Sequence, residues 1–344
     1  MLRKNGDEQL LSSQSARSFT ASAFEETFRA HERFIWGLCY RMTGNAADAD
    51  DLAQETFVRA WERPPARTGE PLRPWLVSVA VNLSRDLLRR RKRRRYEGPW
   101  LPSPIDTGDE VAPPSYEPVD EEGNPAARYD MLESVSFAFL LALEALTPAQ
   151  RAVLLLRDVF DYSVKETAGA LGMSEPNVKT THHRARRATR DYDRERRLPT
   201  RSLQEQTRRV MERFLQCLFN RDAAGVEALL AEDARHLGDG GGEFLAARSP
   251  VIGRKKVALF NLRLAELKPE GARSTWRMFN GLPAIVTELA RPPENYAPFI
   301  VTTCELDGAG AIKRIFNVLA TRKLTAVRKI EITKVGTNPE ESEA

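Results

Sequence analysis

The chain has little cysteine, no long apolar run and no large excess of either charge. Its 344 residues include only three cysteines, Cys39, Cys217 and Cys304, far apart and without a CxxC pair. That spacing excludes a disulfide framework and argues against a cysteine-rich zinc site. The longest apolar stretch, residues 135–143, is interrupted by Ser136 and stopped by Glu144. It falls far short of the roughly 20 residues that a membrane helix needs. The N-terminus carries no apolar h-region. These absences lead to the expectation of a soluble cytoplasmic chain with reduced thiols and no membrane partner. The 52 Lys and Arg against 48 Asp and Glu leave a net charge of +4, which alone predicts little. What is present is 42% hydrophobic residues, enough for packed cores. At ~100–200 residues per domain the length implies two or three domains.

The small net charge conceals a partition. Residues 99–130 hold one basic residue, Arg128, against eight acidic ones, together with seven prolines. Proline removes backbone donors and like charges repel, so this stretch is expected to be an extended linker. Two basic clusters flank it: residues 85–95, with eight Lys/Arg in eleven positions, and residues 179–197, with eight Lys/Arg and three acids. Each cluster alone could be a solvated helix face; the pair around an acidic linker suggests two surfaces for a polyanion.

The first segment reads as a helical bundle. Phe24, Phe28, Phe34, Ile35, Leu38 and Met42 fall at helical spacing before a Gly44-Asn45 stop. A second helix over 47–61 turns Leu52, Phe57, Val58 and Trp61 inward, with Asp48, Asp50, Asp51, Gln54 and Glu55 outward. Acids in a first turn suit the helix dipole, and they would equally make a docking face. Residues 63–71, with three prolines and a glycine, must form a loop. A third helix begins near Pro74 and carries Trp75, Leu76, Val79, Ala80, Leu83, Leu87 and Leu88 before turning basic. Trp75 fits a core position or a base-stacking platform.

Residues 47–61 (ADADDLAQETFVRAW) and 73–89 (RPWLVSVAVNLSRDLLR) resemble region 2 of bacterial extracytoplasmic-function RNA polymerase sigma factors of the sigma-70 family. The resemblance implies that the acidic second helix, with Asp48, Asp50, Asp51, Gln54 and Glu55, docks on the clamp helices of the polymerase β′ subunit. It implies that the third helix and the loop before it recognise and open the −10 element. Cations against the phosphates are then expected from Arg85, Arg89, Arg90 and Arg91, with Asn82 beside them, and the 63–71 loop could hold an extruded base.

The second segment reads as a helix-turn-helix. Thr147-Pro148-Ala149-Gln150 is a capping box with proline at the first helical position. The helix after it buries Val153, Leu154, Leu155 and Val159. A short helix over 163–171 and a Gly172-Met173-Ser174 turn follow, with Ser174 capping a long helix over 175–197. That last helix exposes Asn177, Lys179, Thr180, His183, Arg184 and Arg187, the layout whose second helix enters a major groove. Adjacent His182 and His183 point roughly 100° apart and so make a poor metal pair. The run from Leu146 to Arg186 resembles sigma region 4, which implies contact with the −35 element and the polymerase β flap.

The chain continues for 147 residues past Arg197. Two amphipathic helices over 204–230 precede period-two strand patterns at 274–279, 283–289, 299–306 and 312–319, the last two flanking Asp307-Gly308. Helices followed by a curved antiparallel sheet give an α+β class. The order, with Asp239-Gly240-Gly241-Gly242 and Gly281-Leu282-Pro283-Ala284, resembles the SnoaL-like branch of the cone-shaped NTF2-like fold. Trp100-Leu101-Pro102-Ser103-Pro104 in the linker fits the sigma-factor subgroup with such an extension. Only Lys323-Leu324 match the string that members often carry near their end.

The expected organisation is multi-domain: two all-α sigma domains plus an α+β NTF2-like cone. Residues 1–21 form a flexible N-terminus, 22–98 region 2, 99–130 the linker, 131–197 region 4, 203–320 the SnoaL-like domain and 321–344 a tail. The resemblance implies an alternative sigma factor, not an enzyme, needing no cofactor or metal, with core RNA polymerase and promoter DNA as partners. It implies that the extension regulates the DNA-binding domains in cis, through Trp100, Leu101 and Pro102 against Asp239, Gly240, Gly241 and Gly242. The alternative makes the cone a sensor of a small hydrophobic ligand, or a small isomerase- or cyclase-like enzyme. For that, Asp233 (read as a helix end), His236 (read as a connector) and Asp239 (read as a turn) are the candidates.

Overall fold

The computed structural model describes residues 21–62, 72–93, 96–108, 129–267 and 271–327. Helix α1 spans Ala21–Thr43 and α2 Ala46–Glu62. Between them Gly44 takes φ 64 and its amide donates to the Tyr40 carbonyl at 2.6 Å. Asn45 then caps α2, its Oδ1 accepting from the Asp48 amide at 3.0 Å. Helix α3, Leu72–Arg93, closes the bundle with Leu76, Val77, Ala80 and Val81 fully buried. At ~1.5–3 kcal/mol per buried aliphatic side chain, that stripe fixes α3 in place. Trp75 is half-buried against the same core.

A 3-10 turn at Glu133–Val135 leads into α4 (Phe137–Leu143), α5 (Pro148–Asp158), α6 (Val164–Leu171), α7 (Glu175–Ala188) and α8 (Arg190–Glu195). Capping boxes at Thr147/Gln150 and Ser163/Glu166 start α5 and α6, and Gly172, at φ 60, ends α6. Ser174 occupies the position before α7 but makes no side-chain cap. The long helix expected over 175–197 is broken at Thr189, whose hydroxyl turns back to the Ala185 and Arg186 carbonyls. The break lets Tyr192 reach the Glu133 carboxylate at 2.7 Å and pack edge-on against Phe139.

These helices do not form two separate cores. Leu38, Met42, Leu76 and Val81 of the first bundle join Leu140, Val153, Leu154 and Leu155 of the second in one continuous cluster. Phe34 meets Phe160 at 5.0 Å across the join.

In the extension, α9 (Arg201–Phe219) and α10 (Ala223–Leu229) precede β1 (Leu230–Asp239), β2 (Val251–Ile252) and α11 (Arg254–Glu266). Strands β3 (Arg273–Phe279), β4 (Leu282–Glu288), β5 (Phe299–Leu306) and β6 (Ile312–Val318) complete one sheet of order β2-β1-β6-β5-β4-β3. All neighbours run antiparallel except β1 and β6. This is the NTF2-like arrangement, and strand alternation sorts its side chains. On one face Ala234, Ile285, Cys304 and Ile315 pack under Met211, Phe214, Val257 and Ala258 of the helices. On the other, Phe316 and Val318 meet Leu101 of the linker and Phe137 of α4. Both faces are therefore covered, one by the extension's own helices and one by the rest of the chain.

Four further expectations change. Val58 and Trp61, expected to turn inward, are exposed on α2. Asp233 and His236 lie within β1, not at a helix end or on a connector, and Asp239 closes that strand; the parallel pairing with β6 recruits this segment. The linker is not an extended tether over its first part. Leu101, Ser103 and Ile105 are buried, and an Asp106–Phe279 bridge adds it to the sheet's edge. Most of its acids lie outside the described residues, as do the 63–71 loop and Arg94 and Arg95. Finally, residues 321–327 of the expected tail are packed, with Ala326 against the helical core.

Two outcomes test this packing. Gly44→Ala would strain a positive φ and drive a Cβ into the Trp100 ring. It should lower stability by about 1–3 kcal/mol, read from thermal unfolding. His236, 1% exposed beneath Phe260, is pushed by burial down to about 4 from an ordinary 6.5. The unfolded chain then binds the extra proton between those values, so stability falls as pH drops from 6.5 towards 4, by about 3 kcal/mol in all. His236→Asn should flatten that part of the profile, measured by melting between pH 7 and 5.

Candidate nucleic-acid interface and the contacts that hold it

On α7, Val178 and Ala185 point inward, which leaves Asn177, Lys179, Thr180, His183, Arg184 and Arg187 exposed on one polar, basic surface. The helix is aimed from below. Asp158, 1% exposed at the end of α5, accepts from His182 Nε2 at 2.9 Å and from Arg186 Nε at 3.0 Å. Burial would raise this carboxyl, but the bonds from His182 and Arg186 hold it below its ordinary range. His182 is thus committed to the scaffold while His183 faces solvent. Among the described residues no group of three or more His, Cys, Asp or Glu could hold a metal.

On α3, Asn82, Arg89 and Arg90 are exposed and Arg85 is half-buried, which lowers its guanidinium pKa. Arg91 behaves differently. It donates to the Thr43 carbonyl at 2.7 Å and to both oxygens of Glu144 at 2.9 and 3.1 Å, and it stacks 4.4 Å above Trp100. Glu144 also accepts from buried Arg151 at 2.8 Å, while Arg151 donates to Met42 and Leu143 carbonyls at 2.7 Å each. Two arginines from different helical segments therefore cap the end of α1 and share one carboxylate. Arg41, 1% exposed, adds a third cross-tie through Ser134 Oγ at 2.7 Å and the Met131 carbonyl at 3.1 Å.

On α2, Asp50, Asp51 and Gln54 are exposed and Asp48 and Glu55 half-buried. Asp50 accepts from Trp36 Nε1 at 2.5 Å, and Glu55 pairs with Arg59 at 2.8 Å. A groove of about 750 Å³ between α1 and α2 is lined by Phe28, Trp36, Phe57 and Trp61 under this acidic rim.

One of the places where the extension meets these elements is a buried carboxylate. Asp239 is fully buried. Its Oδ1 accepts from Tyr96 at 2.5 Å and the Gly241 amide at 3.1 Å, and its Oδ2 from the Leu101 amide at 2.7 Å and from Lys323 Nζ. Lys323, itself 2% exposed, also donates to the Leu101 carbonyl and lies 4.2 Å from the Trp100 ring. Burial pushes the Lys323 ammonium down to about 8, against the opposing pull of Asp239. Gly241 takes φ 61, and a Cβ there would meet Ala320 at 2.8 Å, so the glycine run brings the backbone into contact. Of the expected contacts, Leu101 meets Asp239 directly; Trp100 instead meets Lys323 and the turn at Gly44, Gly240 approaches Phe244 and Ala246, Gly241 approaches Ala320, and Gly242 faces Glu97. Lys323 and Leu324, the two matching residues of a weak string, both engage, and Ala320 ahead of them donates its amide to the Asp239 carbonyl at 3.0 Å.

The acid–base trio for an enzyme does not assemble. Asp233 is exposed, His236 is buried, and the Asp239 carboxylate is saturated by four donors. Sequence reasoning missed Glu144, Arg151, Arg41 and Asn280, and saw Lys323 only as one match to a weak string. Of these only Asn280 had a usable signal, the Asn-Gly pair of a two-residue hairpin. Glu144→Ala leaves Arg91 and Arg151 without their shared anion and should cost about 1.5–3 kcal/mol, seen as a lower melting temperature of the helical core.

Family models for sigma-70 region 2 and sigma-70 region 4 match residues 27–94 and 136–188. The ECF RNA polymerase sigma factor SigJ of Mycobacterium tuberculosis is 32% identical over 241 residues, 70% of this chain and 72% of that protein. SigG of the same organism is 37% identical over 205 residues, 54% of this chain and 53% of SigG. The crystal structure of M. tuberculosis SigJ superposes with a TM-score of 0.65 at 25% identity, covering 88% of this chain and 98% of that one. With both sigma regions matched in order, and a relative alike through most of its length, the chain belongs to the extracytoplasmic-function family of RNA polymerase sigma factors.

Proposed function

We propose that this sigma factor is held shut by its own extension and initiates transcription only after regions 2 and 4 part. The carrying observation is that the two regions share one hydrophobic core. The promoter elements named −10 and −35 are separated by about 25 base pairs, roughly 85 Å at 3.4 Å per pair. A 70-residue domain is about 30 Å across, so two that share a core cannot touch both elements at once.

On this reading the acidic face of α2, with Asp48, Asp50, Asp51, Gln54 and Glu55, docks on the clamp helices of β′, and region 4 meets the β flap. Asn82, Arg85, Arg89, Arg90 and Arg91 meet the −10 element. Asn177, Lys179, Thr180, His183, Arg184 and Arg187 meet the −35 element. The closed form withholds part of that machinery: Arg91 is tied to Glu144, and Asp48 faces Arg91, Arg322 and Lys323. The extension works in cis through the Asp239–Lys323 lock on the linker.

Run-off transcription with purified core polymerase tests this. Asp239→Asn combined with Lys323→Gln should raise affinity for core polymerase by about tenfold, the equivalent of 1.4 kcal/mol, and raise promoter output with it. If that variant and a chain lacking residues 203–344 both match the parent in affinity and output, the reading fails.

A further inference from the structure

The two-residue tip of the β3–β4 hairpin is buried, which is unusual for a turn. Hairpin tips normally meet solvent, yet Asn280 is 1% exposed. Asn280 and Gly281 take φ 52 and 79, and residues 279 and 282 pair across them. This is a type I′ connection, which asparagine, aspartate or glycine can each supply at its first position. The turn therefore explains the backbone but neither the burial nor the amide.

The amide is used at every side, and never within the extension. Its Oδ1 accepts from the Ile105 amide of the linker at 2.9 Å. Its Nδ2 donates to the Tyr40 hydroxyl of α1 at 2.8 Å and to the Val135 carbonyl ahead of α4 at 2.6 Å. The backbone repeats the join, with the Asn280 amide donating to the Ile105 carbonyl at 3.0 Å. Tyr40 passes the contact on, donating to the Ser103 carbonyl at 2.7 Å. One side chain of the extension thus touches region 2, the linker and the entry to region 4 together.

We propose that Asn280 is the positioning residue through which the extension couples regions 2 and 4, its hairpin tip seated as a peg in a three-part socket. The proposal rests on the reading that the extension acts in cis. The chemistry required is specific: one acceptor for Ile105 and two donors for Tyr40 and Val135. Aspartate keeps the shape and the turn but offers only acceptors, setting a charge against the Val135 carbonyl. Glycine keeps the turn and removes the amide. A buried polar group that is fully paired only in one arrangement selects that arrangement, because any shift of one partner leaves the others unpaired. The Asp239 lock ties the extension to Tyr96, at the end of region 2, and to the start of the linker, without touching region 4. Asn280 makes closure depend on both DNA-binding regions being in place.

The test uses the full chain with spin labels at Arg59→Cys on α2 and Arg190→Cys on α8, in a Cys217→Ser background. Buried Cys39 and Cys304 are retained. Asn280→Gly and Asn280→Asp should each raise the population at long inter-label distance by about tenfold or more. The melting of the extension, followed by hydrogen exchange of the β5 and β6 amides over a temperature series, should stay as in the parent. If both variants keep the parent distance distribution while Asp239→Asn with Lys323→Gln widens it, the cis reading stands and the role of Asn280 falls. If none of the variants widens it, both fall. If Asn280→Gly lowers the melting of the extension to the same degree that it widens the distances, the residue merely stabilises its own hairpin and the proposal is overturned.

Discussion

A carboxylate out of contact with water must be fully paired, and the packing of the extension on the sigma domains follows from how Asp239 meets that demand. A buried ionised carboxyl without partners costs several kcal/mol. Asp239 finds its four donors in three places: its own glycine turn, the join of region 2 and the linker at Tyr96 and Leu101, and the segment after β6 at Lys323. None of these elements could be withdrawn without stranding the charge. The sheet, whose second face would otherwise be an exposed apolar patch, is thereby held where Leu101 and Phe137 cover it. The linker in turn presents Trp100 to the turn at Gly44, so region 2 is registered against the extension through a ring and a glycine.

The same logic recurs inside the helical part with cations in place of the anion. Arg41, Arg91 and Arg151 each reach from one segment to backbone carbonyls of another, and each finds the end of a helix or a turn there. Such contacts are directional, whereas the shared apolar core is not. The core supplies the bulk of the association and the arginines set its register. Nothing here requires a second protein to hold the sigma domains together.

Much of this was legible before the structure. Helical periodicity placed α1, α2, α3 and α5, a capping box at Thr147 fixed the start of α5, and alternation placed β3 to β6. The exposed residues of α7 follow directly from Val178 and Ala185 being its only buried positions. What escaped has physical causes. Strand β1 reads as a polar connector because it carries Glu232, Asp233, Arg235 and Asp239, and only its parallel pairing with β6, about 80 residues away in sequence, makes it a strand. The helix after Thr189 kept a helical pattern, and the break came from tertiary demands on Tyr192 and Arg196. The linker was read from its composition, which describes a free chain; its buried part is held by partners that composition does not see. Glu144 and Arg151 look like ordinary surface charges on amphipathic helices until the two bundles are brought together.

Trp100 lies within cation–π distance of two positive side chains, Arg91 from region 2 and Lys323 from the extension. On the proposed reading, Arg91 is also among the charges meant for promoter phosphate. One guanidinium then serves two competing masters, an aromatic ring and carboxylate when the protein is idle and a nucleic-acid backbone when it works. Any natural change at this position that tightens one must loosen the other. Leakiness and strength of the promoter response are therefore not separately adjustable here, and lineages that need a different balance between them would have to find it at Trp100 or Glu144 instead.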